Sequence, residues 1–386
     1  MRTATCSTTR RGFFGGILAT LLCTLSQLTL LQLTLSLASA AAAEPELSRP
    51  DNRPASQLTR FESSQPQMGV PWRIVVYATD KEAANIAISA AFKRIKQLND
   101  ILSDYEPESE LSQLGLTSPQ KSPVKLSADL FNVLAAAQQL SQRSAGAYDI
   151  SVGPVVKLWR RARRQREMPD KEKLAEALAA VGYQSIKLDP ENRTVQLLKP
   201  KMRLDAGGIG MGYAVDEAMK VLKEHGIASA MIDASGDVGV SDAPPGSAGW
   251  RIGIDTETAT GPASRYVLLS NAAITTSGDA FQHVEINGVR YSHIADPRTG
   301  LGLTDQSAAT VIAKDCTTAD SLTKAVSVLG PVEGFKVVAQ YPGAEALLVR
   351  IVKPKETSKK KTKLERFETP GFKKYVEGMP TLAPGE

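Results

Sequence analysis

Cysteine is scarce, with three in 386 residues. Two of them, Cys6 and Cys23, fall in an N-terminal stretch that reads as removable, so Cys316 is left alone and an internal disulfide framework is excluded. Histidine is equally sparse, again three. None of His225, His283 and His293 stands in an H-x-x-x-H or Cys/His spacing, which argues against zinc. No repeat recurs with a period of roughly 20–50 residues, and strict βαβ alternation is missing. Stability must therefore come from packing, for which 42% hydrophobic residues are enough.

Long apolar runs are also missing, with one exception, Ile17 to Leu37. Thr9-Arg10-Arg11-Gly12-Phe13-Phe14 precedes it, Gln27 and Gln32 interrupt it, and Ala38-Ser39-Ala40 and Ala41-Ala42-Ala43 follow. Residues 1–43 thus read as a cleaved export signal of the twin-arginine kind rather than a membrane anchor, and predict a periplasmic or cell-envelope protein. The formal charge of +5 is concentrated at the ends. Three arginines without an acid in residues 1–43, and nine Lys/Arg against five Glu from Lys353 onward, leave the remainder at −2. That argues against a nucleic-acid partner. The internal run Lys157–Arg166, KLWRRARRQR, lacks interleaved aromatics and reads as a solvated helix face.

Residues 44–66, rich in Pro, Ser, Asn and Gln, have linker composition. Trp72–Ala78 alternates as a strand, and Glu82–Ser103 and Leu130–Ser144 carry helical spacing. Asp149–Trp159 is a mixed segment broken by Gly153-Pro154, and Asp170–Val181 is an amphipathic helix. Strands are predicted at Ser185–Leu188, Thr194–Leu198, Ala228–Ile232, Trp250–Ile254, Tyr266–Leu269 and Ala309–Ile312, and a helix at Thr317–Leu329. The whole reads as α+β, with mixed or antiparallel sheets and packed helices, over residues 67–352. Residues 353–386, with six lysines by Lys363, read as an exposed extension.

The clearest local signal is a hairpin, Phe281–Ile286 and Val289–Ile294 around Asn287-Gly288. Its register pairs Val284 with Tyr291 and Glu285 with Arg290. Ser277, Gly278 and Asp279 precede it and His293, Asp296, Pro297 and Arg298 follow, so ionisable groups gather at one end. His293, beside Asp296, is the best candidate general base. Asp205–Gly212 (DAGGIGMG) is a glycine-rich turn into a helix; its spacing is wrong for a dinucleotide fingerprint, while phosphate binding and tight helix packing both remain open. Asp320, Thr323 and Lys324 share one helix face, which suits either a magnesium site or a plain Asp–Lys ion pair.

Together these stretches resemble the ApbE family of FAD:protein FMN transferases, which carries LS-x-Y-x-P-x-SEL, G-A-F/Y-D-x-S/T-VGP, D-x-GGI-x-x-GYA-x-D, TSGD and RYSHI-x-DP-x-TG in this order. Here they stand as Leu102–Leu111, Gly146–Pro154, Asp205–Asp216, Thr276–Asp279 and Arg290–Gly300. The resemblance implies a central cleft for FAD, Mg²⁺ as cofactor, transfer of FMN to a Ser/Thr hydroxyl of a target protein, and release of AMP. The implied acceptor is a protein with a Ser/Thr flavinylation motif, of the membrane electron-transfer type. Met68 and Tyr105 resemble flavin contacts, Ala147, Tyr148 and Asp149 a second contact strip, Asp205 an adenosine-side contact, and Ile294 a backbone contact beside His293. Gly208, Asp320, Thr323 and Lys324 occupy metal-site positions. Two departures stand out: Lys324 replaces a threonine, and Met211, in the cofactor strip, replaces a charged residue. A protonated lysine cannot ligate a metal but can compensate phosphates as a point charge. It leaves open a relative that binds or hydrolyses FAD without transferring FMN.

Overall fold

The computed structural model describes residues 58–254, 263, 265–278, 283–352 and 363–378. The expected export signal, residues 1–43, and most of the expected linker lie outside the described residues. The chain begins with a hairpin, β1 (Thr59–Gln67) and β2 (Val70–Ala78), closed by Met68-Gly69 with positive φ at both residues. Residues 59–66 are therefore an edge strand and not linker. Their polar side chains hide the signal, because an edge strand needs only one hydrogen-bonded neighbour and one buried face.

Helix α1 (Lys81–Leu102) follows, capped by Asp80, whose side chain accepts from Ala83 N. Its buried stripe includes Ala84, Ile88, Phe92, Ile95 and Leu98, the spacing expected of one face of an amphipathic helix. Next come α2 (Glu110–Leu116), β3 (Val124–Lys125) and α3 (Ala128–Arg143). The segment expected to be broken at Gly153-Pro154 instead starts helix α4 (Gly153–Gln165). Proline is tolerated there because its missing N–H would have no partner in the first turn. Helix α5 (Lys171–Ala179) precedes the small ribbon β4 (Ile186–Asp189) and β5 (Thr194–Leu197).

Helix α6 (Gly210–Glu224) leads to β6 (Ser229–Ala234) and β7 (Asp237–Val240). His225 is the C-cap residue of α6. Strands β8 (Trp250–Ile254), β9 (Arg265–Leu269) and β10 (Ala272–Gly278) precede the hairpin β11 (His283–Ile286) and β12 (Val289–Ser292). Its register is the expected one, with Val284 opposite Tyr291 and Glu285 opposite Arg290. The chain continues through β13 (Gln306–Ala313), α7 (Cys316–Val338), β14 (Glu345–Val352) and β15 (Lys363–Glu368). Helix α7 is kinked at Gly330-Pro331, where Gly330 takes a φ of 72°.

Eight strands form the central sheet in the order β1-β2-β6-β7-β10-β13-β14-β15, and its named pairings are all antiparallel. Both faces are buried. Trp72, Ile74 and Val76 of β2 join the core under α1, α6 and α7, while Val75 joins a second core with Trp250, Val267 and Phe372 on the other face. Phe372 is fully buried, and β15 pairs with β14 from Leu347–Glu368 to Val352–Lys363. The described part of the C-terminal region is thus built into the fold and is not a solvated extension. The hairpin is mounted on α4: Trp159 Nε1 donates to the Gly300 carbonyl at 2.7 Å, and the Trp159 and Tyr291 rings lie 5.2 Å apart.

Candidate active site

A cavity of about 950 Å³ collects the chemistry-bearing stretches, a volume within the range of small-molecule and cofactor sites. Its wall takes Asp104 and Tyr105 after α1, Ala147–Asp149 ahead of α4, Asp205–Met211 in part, Ser235–Asp237 between β6 and β7, Thr276–Gly278 at the end of β10, His293–Ala295 after β12, and Lys324 of α7. These positions are far apart in sequence, and the sheet and its covering helices bring them together.

Two helices begin at this wall without a side-chain cap. Helices α1, α2, α3, α5 and α7 are capped by Asp80, Ser109, Ser127, Asp170 and Asp315. Helices α4 and α6, whose first turns line the cavity, have none. An uncapped helix N-terminus presents backbone N–H groups and positive potential to an anion. In α6, Gly212 N is taken by Asp320 Oδ2 at 3.3 Å, so α7 partly serves as its cap. Glycine is required there, because a Cβ at 212 would lie 2.4 Å from the Cys316 carbonyl oxygen.

Lys324 is the centre of one charged cluster. Its Nζ lies 2.9 Å from Asp320 Oδ1 and 3.1 Å from Thr323 Oγ1, and Thr323 Oγ1 donates to the Asp320 carbonyl at 2.6 Å. The Lys324 side chain is 21% exposed and that of Asp320 1%. Burial opposes the lysine's charge, yet Asp320 and Asp237 outweigh it and its pKa is raised. Burial and repulsion from Asp320 push the Asp237 carboxyl up, against the pull of Lys324 and a hydrogen bond from Thr275. Tyr148 Oη, buried and without a hydrogen-bond partner among the described residues, belongs to the same wall. Burial, with Asp320, Asp205 and Asp149 nearby, keeps this phenol protonated, hence a donor.

These donors do not fit Mg²⁺. The ion wants about six oxygens in near-octahedral array at roughly 2.0–2.1 Å. Here the Asp320 and Thr323 oxygens are bridged by an ammonium, which has no lone pair. Among the described residues no group of three or more His, Cys, Asp or Glu side chains is placed to hold a metal. Gly208, Asp320, Thr323 and Lys324 do converge, and a Cβ at 208 would lie 3.0 Å from Lys324 Cγ. Lys324 is thus a cation within this group, and its assignment as a metal ligand is corrected.

A second cluster surrounds Arg160. It pairs with Asp104 and, at 3.1 Å, with Asp205, and its guanidinium sits 4.1 Å from the centroid of exposed Tyr105. Asp205 Oδ1 accepts from Gly207 N at 2.8 Å. Burial and Asp104 hold the Asp205 carboxyl above its ordinary range in spite of Arg160. The basic run on α4 is therefore not simply a solvated face, since Arg160 and Arg163 line the cavity. Asp149 uses both oxygens internally, on Ser151 N, Ser151 Oγ and Tyr183 N. Its carboxylate shapes the Ala147–Asp149 strip.

Of the sequence-predicted site residues, Tyr105, Ala147, Tyr148, Asp149, Asp205, Gly208, Met211, His293, Ile294 and Lys324 line the cavity. Asp320 and Thr323 lie buried behind Lys324. Met68 is placed elsewhere, in the β1–β2 turn and against the main core. The Asp296 carboxylate is gripped by Arg298, Nε to Oδ1 at 2.9 Å and Nη2 to Oδ2 at 2.7 Å. It fixes the loop after His293. Asp279 lies outside the described residues. Asp237 and Arg160 escaped sequence reasoning; the small-residue turn Ala234-Ser235-Gly236-Asp237 was the available hint for the first.

The fold and site thus define an α+β protein whose cavity of cofactor size is lined by a buried lysine, by acids paired to arginine and by the first turns of two helices. The model of the ApbE family matches residues 68–348, and the chain belongs to that family. It is 32% identical over 263 residues to a Haemophilus influenzae FAD:protein FMN transferase, covering 66% of this chain and 76% of that one. A Treponema pallidum FAD:protein FMN transferase is 28% identical over 310 residues, 76% of this chain and 85% of its own. Among solved structures, apo Pseudomonas stutzeri flavinyl transferase ApbE superposes with a TM-score of 0.71 at 27% identity, covering 83% of this chain and 97% of that chain.

Proposed function

We infer that this chain is an FAD:protein FMN transferase, moving FMN from FAD to a Ser/Thr hydroxyl of a target protein and releasing AMP. The observation that carries the reading is the convergence of its separated family motifs on one cavity of cofactor size.

The chemistry is phosphoryl transfer, in which positioning and charge compensation do most of the work. We place the pyrophosphate between the glycine-rich start of α6 and Lys324. Tyr148 Oη, a buried donor without a partner among the described residues, supports that placement. Exposed Tyr105, with Arg160 over its ring, offers an aromatic surface to a flat ring system of the cofactor. His293, just after the β11–β12 hairpin, takes the proton of the attacking hydroxyl. Magnesium is not assigned to this site, for the donor-set reason given above.

The basic, twin-arginine-like leader supports export to the periplasm or cell envelope. An exported acceptor follows from that location, and a membrane electron-transfer subunit with a Ser/Thr motif is the acceptor we propose. The test is to incubate the mature protein with FAD and a peptide bearing such a motif, with and without divalent metal, and to look by mass for the FMN adduct. FAD binding with neither adduct nor AMP under any condition refutes transfer and leaves an FAD-binding relative. AMP without adduct identifies an FAD hydrolase.

A further inference from the structure

The residue at the place where a metal is expected is itself a cation, and its surroundings are built for it. Lys324 stands one helical turn after Asp320 and bridges Asp320 Oδ1 and Thr323 Oγ1 at 2.9 and 3.1 Å. Its stem runs past Gly208, where any Cβ would come 3.0 Å from Lys324 Cγ and 3.5 Å from the Tyr148 ring. The glycine makes room for the lysine. Asp320 and Asp237 are 1% and 4% exposed, and both act electrostatically on this ammonium. A buried carboxylate such as that of Asp320 is costly without a cation. Lys324 therefore answers a need that a divalent ion would otherwise meet. The other cationic cavity residues are Arg160 and Arg163 among those described, and Arg160 is already held by two carboxylates.

We propose that Lys324 Nζ is a built-in cation that replaces the divalent metal at the pyrophosphate, so that FAD binding and FMN transfer by this chain proceed without metal. The proposal deepens the transfer reading and rests on it for the chemical step. In that step the acceptor hydroxyl oxygen bonds to the flavin-side phosphorus. The bond from that phosphorus to the bridging oxygen breaks, and the oxygen leaves with its electron pair as part of AMP. The hydroxyl proton passes to His293. Lys324 makes and breaks no covalent bond; it stays protonated and donates to phosphoryl oxygens, concentrating positive charge where negative charge gathers.

The primary test uses the wild-type mature chain and therefore needs no variant to fold. FAD affinity is measured by flavin fluorescence in EDTA and in Mg²⁺, with AMP release and peptide adduct followed in parallel. Metal-independent binding is expected, together with product formation at the same rate in EDTA. If binding or turnover collapses in EDTA and Mg²⁺ restores it, the proposal is overturned. If binding is metal-independent but no product forms under any condition, the built-in cation stands for binding and the transfer reading alone fails. A second measurement uses Lys324→Met and Lys324→Thr. Loss of one charge-assisted contact should weaken FAD binding on the order of ten- to hundredfold in EDTA. In Lys324→Thr, Mg²⁺ should recover affinity and raise the melting temperature, whereas it should move neither in the wild type. A Mg²⁺-induced thermal shift in the wild type equal to that of Lys324→Thr also overturns the proposal.

Discussion

A pair of alanine substitutions two residues apart on α6 separates packing from helix propensity. Both Gly210 and Gly212 lie in the first turn of that helix, and Gly→Ala in a helix interior ordinarily stabilises by about 1 kcal/mol. A Cβ at Gly210 would meet Ala206 Cβ at 3.4 Å and Leu102 at 3.9 Å, which is ordinary contact. At Gly212 it would lie 2.4 Å from the Cys316 carbonyl oxygen and 2.9 Å from Asp320 Cβ, where a relaxed contact needs roughly 3.5 Å. Carbonyl and helix backbone cannot swing aside, so α6 and α7 must move apart by about 1 Å. Overpacking of this kind costs about 1–3 kcal/mol, and the Gly212 N to Asp320 bond stretches with it. Gly210→Ala is therefore expected to be neutral or stabilising by up to about 1 kcal/mol. Gly212→Ala is expected to be destabilised by about 2 kcal/mol, a drop of roughly 3 °C in Tm for a fold of this size. Its FAD affinity should fall as well, since Asp320 and Lys324 ride on α7. Differential scanning calorimetry on both variants, with flavin fluorescence alongside, decides the matter. Equal shifts in the same direction would show that propensity, and not the approach of α6 to α7, governs this position.

Three further outcomes are expected. Arg160→Ala strands Asp104 and Asp205 without their partner and should cost about 2–4 kcal/mol in urea unfolding; a change under about 0.5 kcal/mol would show the pairs to be ornamental. Asp216 accepts from Cys316 N and from Thr317 N, both at 2.8 Å, and from the Thr317 hydroxyl, yet burial pushes it from 3.8 up to about 6. Since the folded state raises this acid, its stabilising contribution is complete below 3.8 and lost as pH rises through about 6. Asp216→Asn should flatten the pH dependence of Tm in that window, and an unchanged slope would contradict the assignment. Phe372→Ala should cost about 3–5 kcal/mol, because Phe372 is fully buried in the core on the β8–β9 side of the sheet; a solvated tail would leave thermal unfolding untouched.

Local signals carried much of this structure. Asn287-Gly288 with flanking alternation determined the β11–β12 register, since a two-residue turn and a two-residue side-chain period leave no other alignment. Asp170 opens the helix expected from that residue and caps it with its side-chain oxygen. What stayed hidden depends on pairing at a distance. Strands β1 and β15 look polar because each has a neighbour on one side only, and β7 is four residues long and buried throughout, so it offers no alternation to read. Arg160 looked like one charge among many until the fold set Asp104 and Asp205 beside it. Lys324 was legible as half of an i,i+4 pair with Asp320 and not as a buried one, because burial is a property of the cavity and not of the helix.

The sheet order places β1 at one edge and β15 at the other. Between them, next to each edge, lie β2, VPWRIVVYA, and β14, EALLVRIV, whose apolar runs would pair with any strand offered to them. Arg60, Glu62 and Pro66 on β1 and Glu365, Arg366 and Glu368 on β15 make poor templates for further strands. The two chain ends thus act as selvedges that keep molecules from knitting together. A clone trimmed to remove residues that look like linker at one end or tail at the other would bare β2 or β14, and its first symptom would be precipitation rather than lost catalysis.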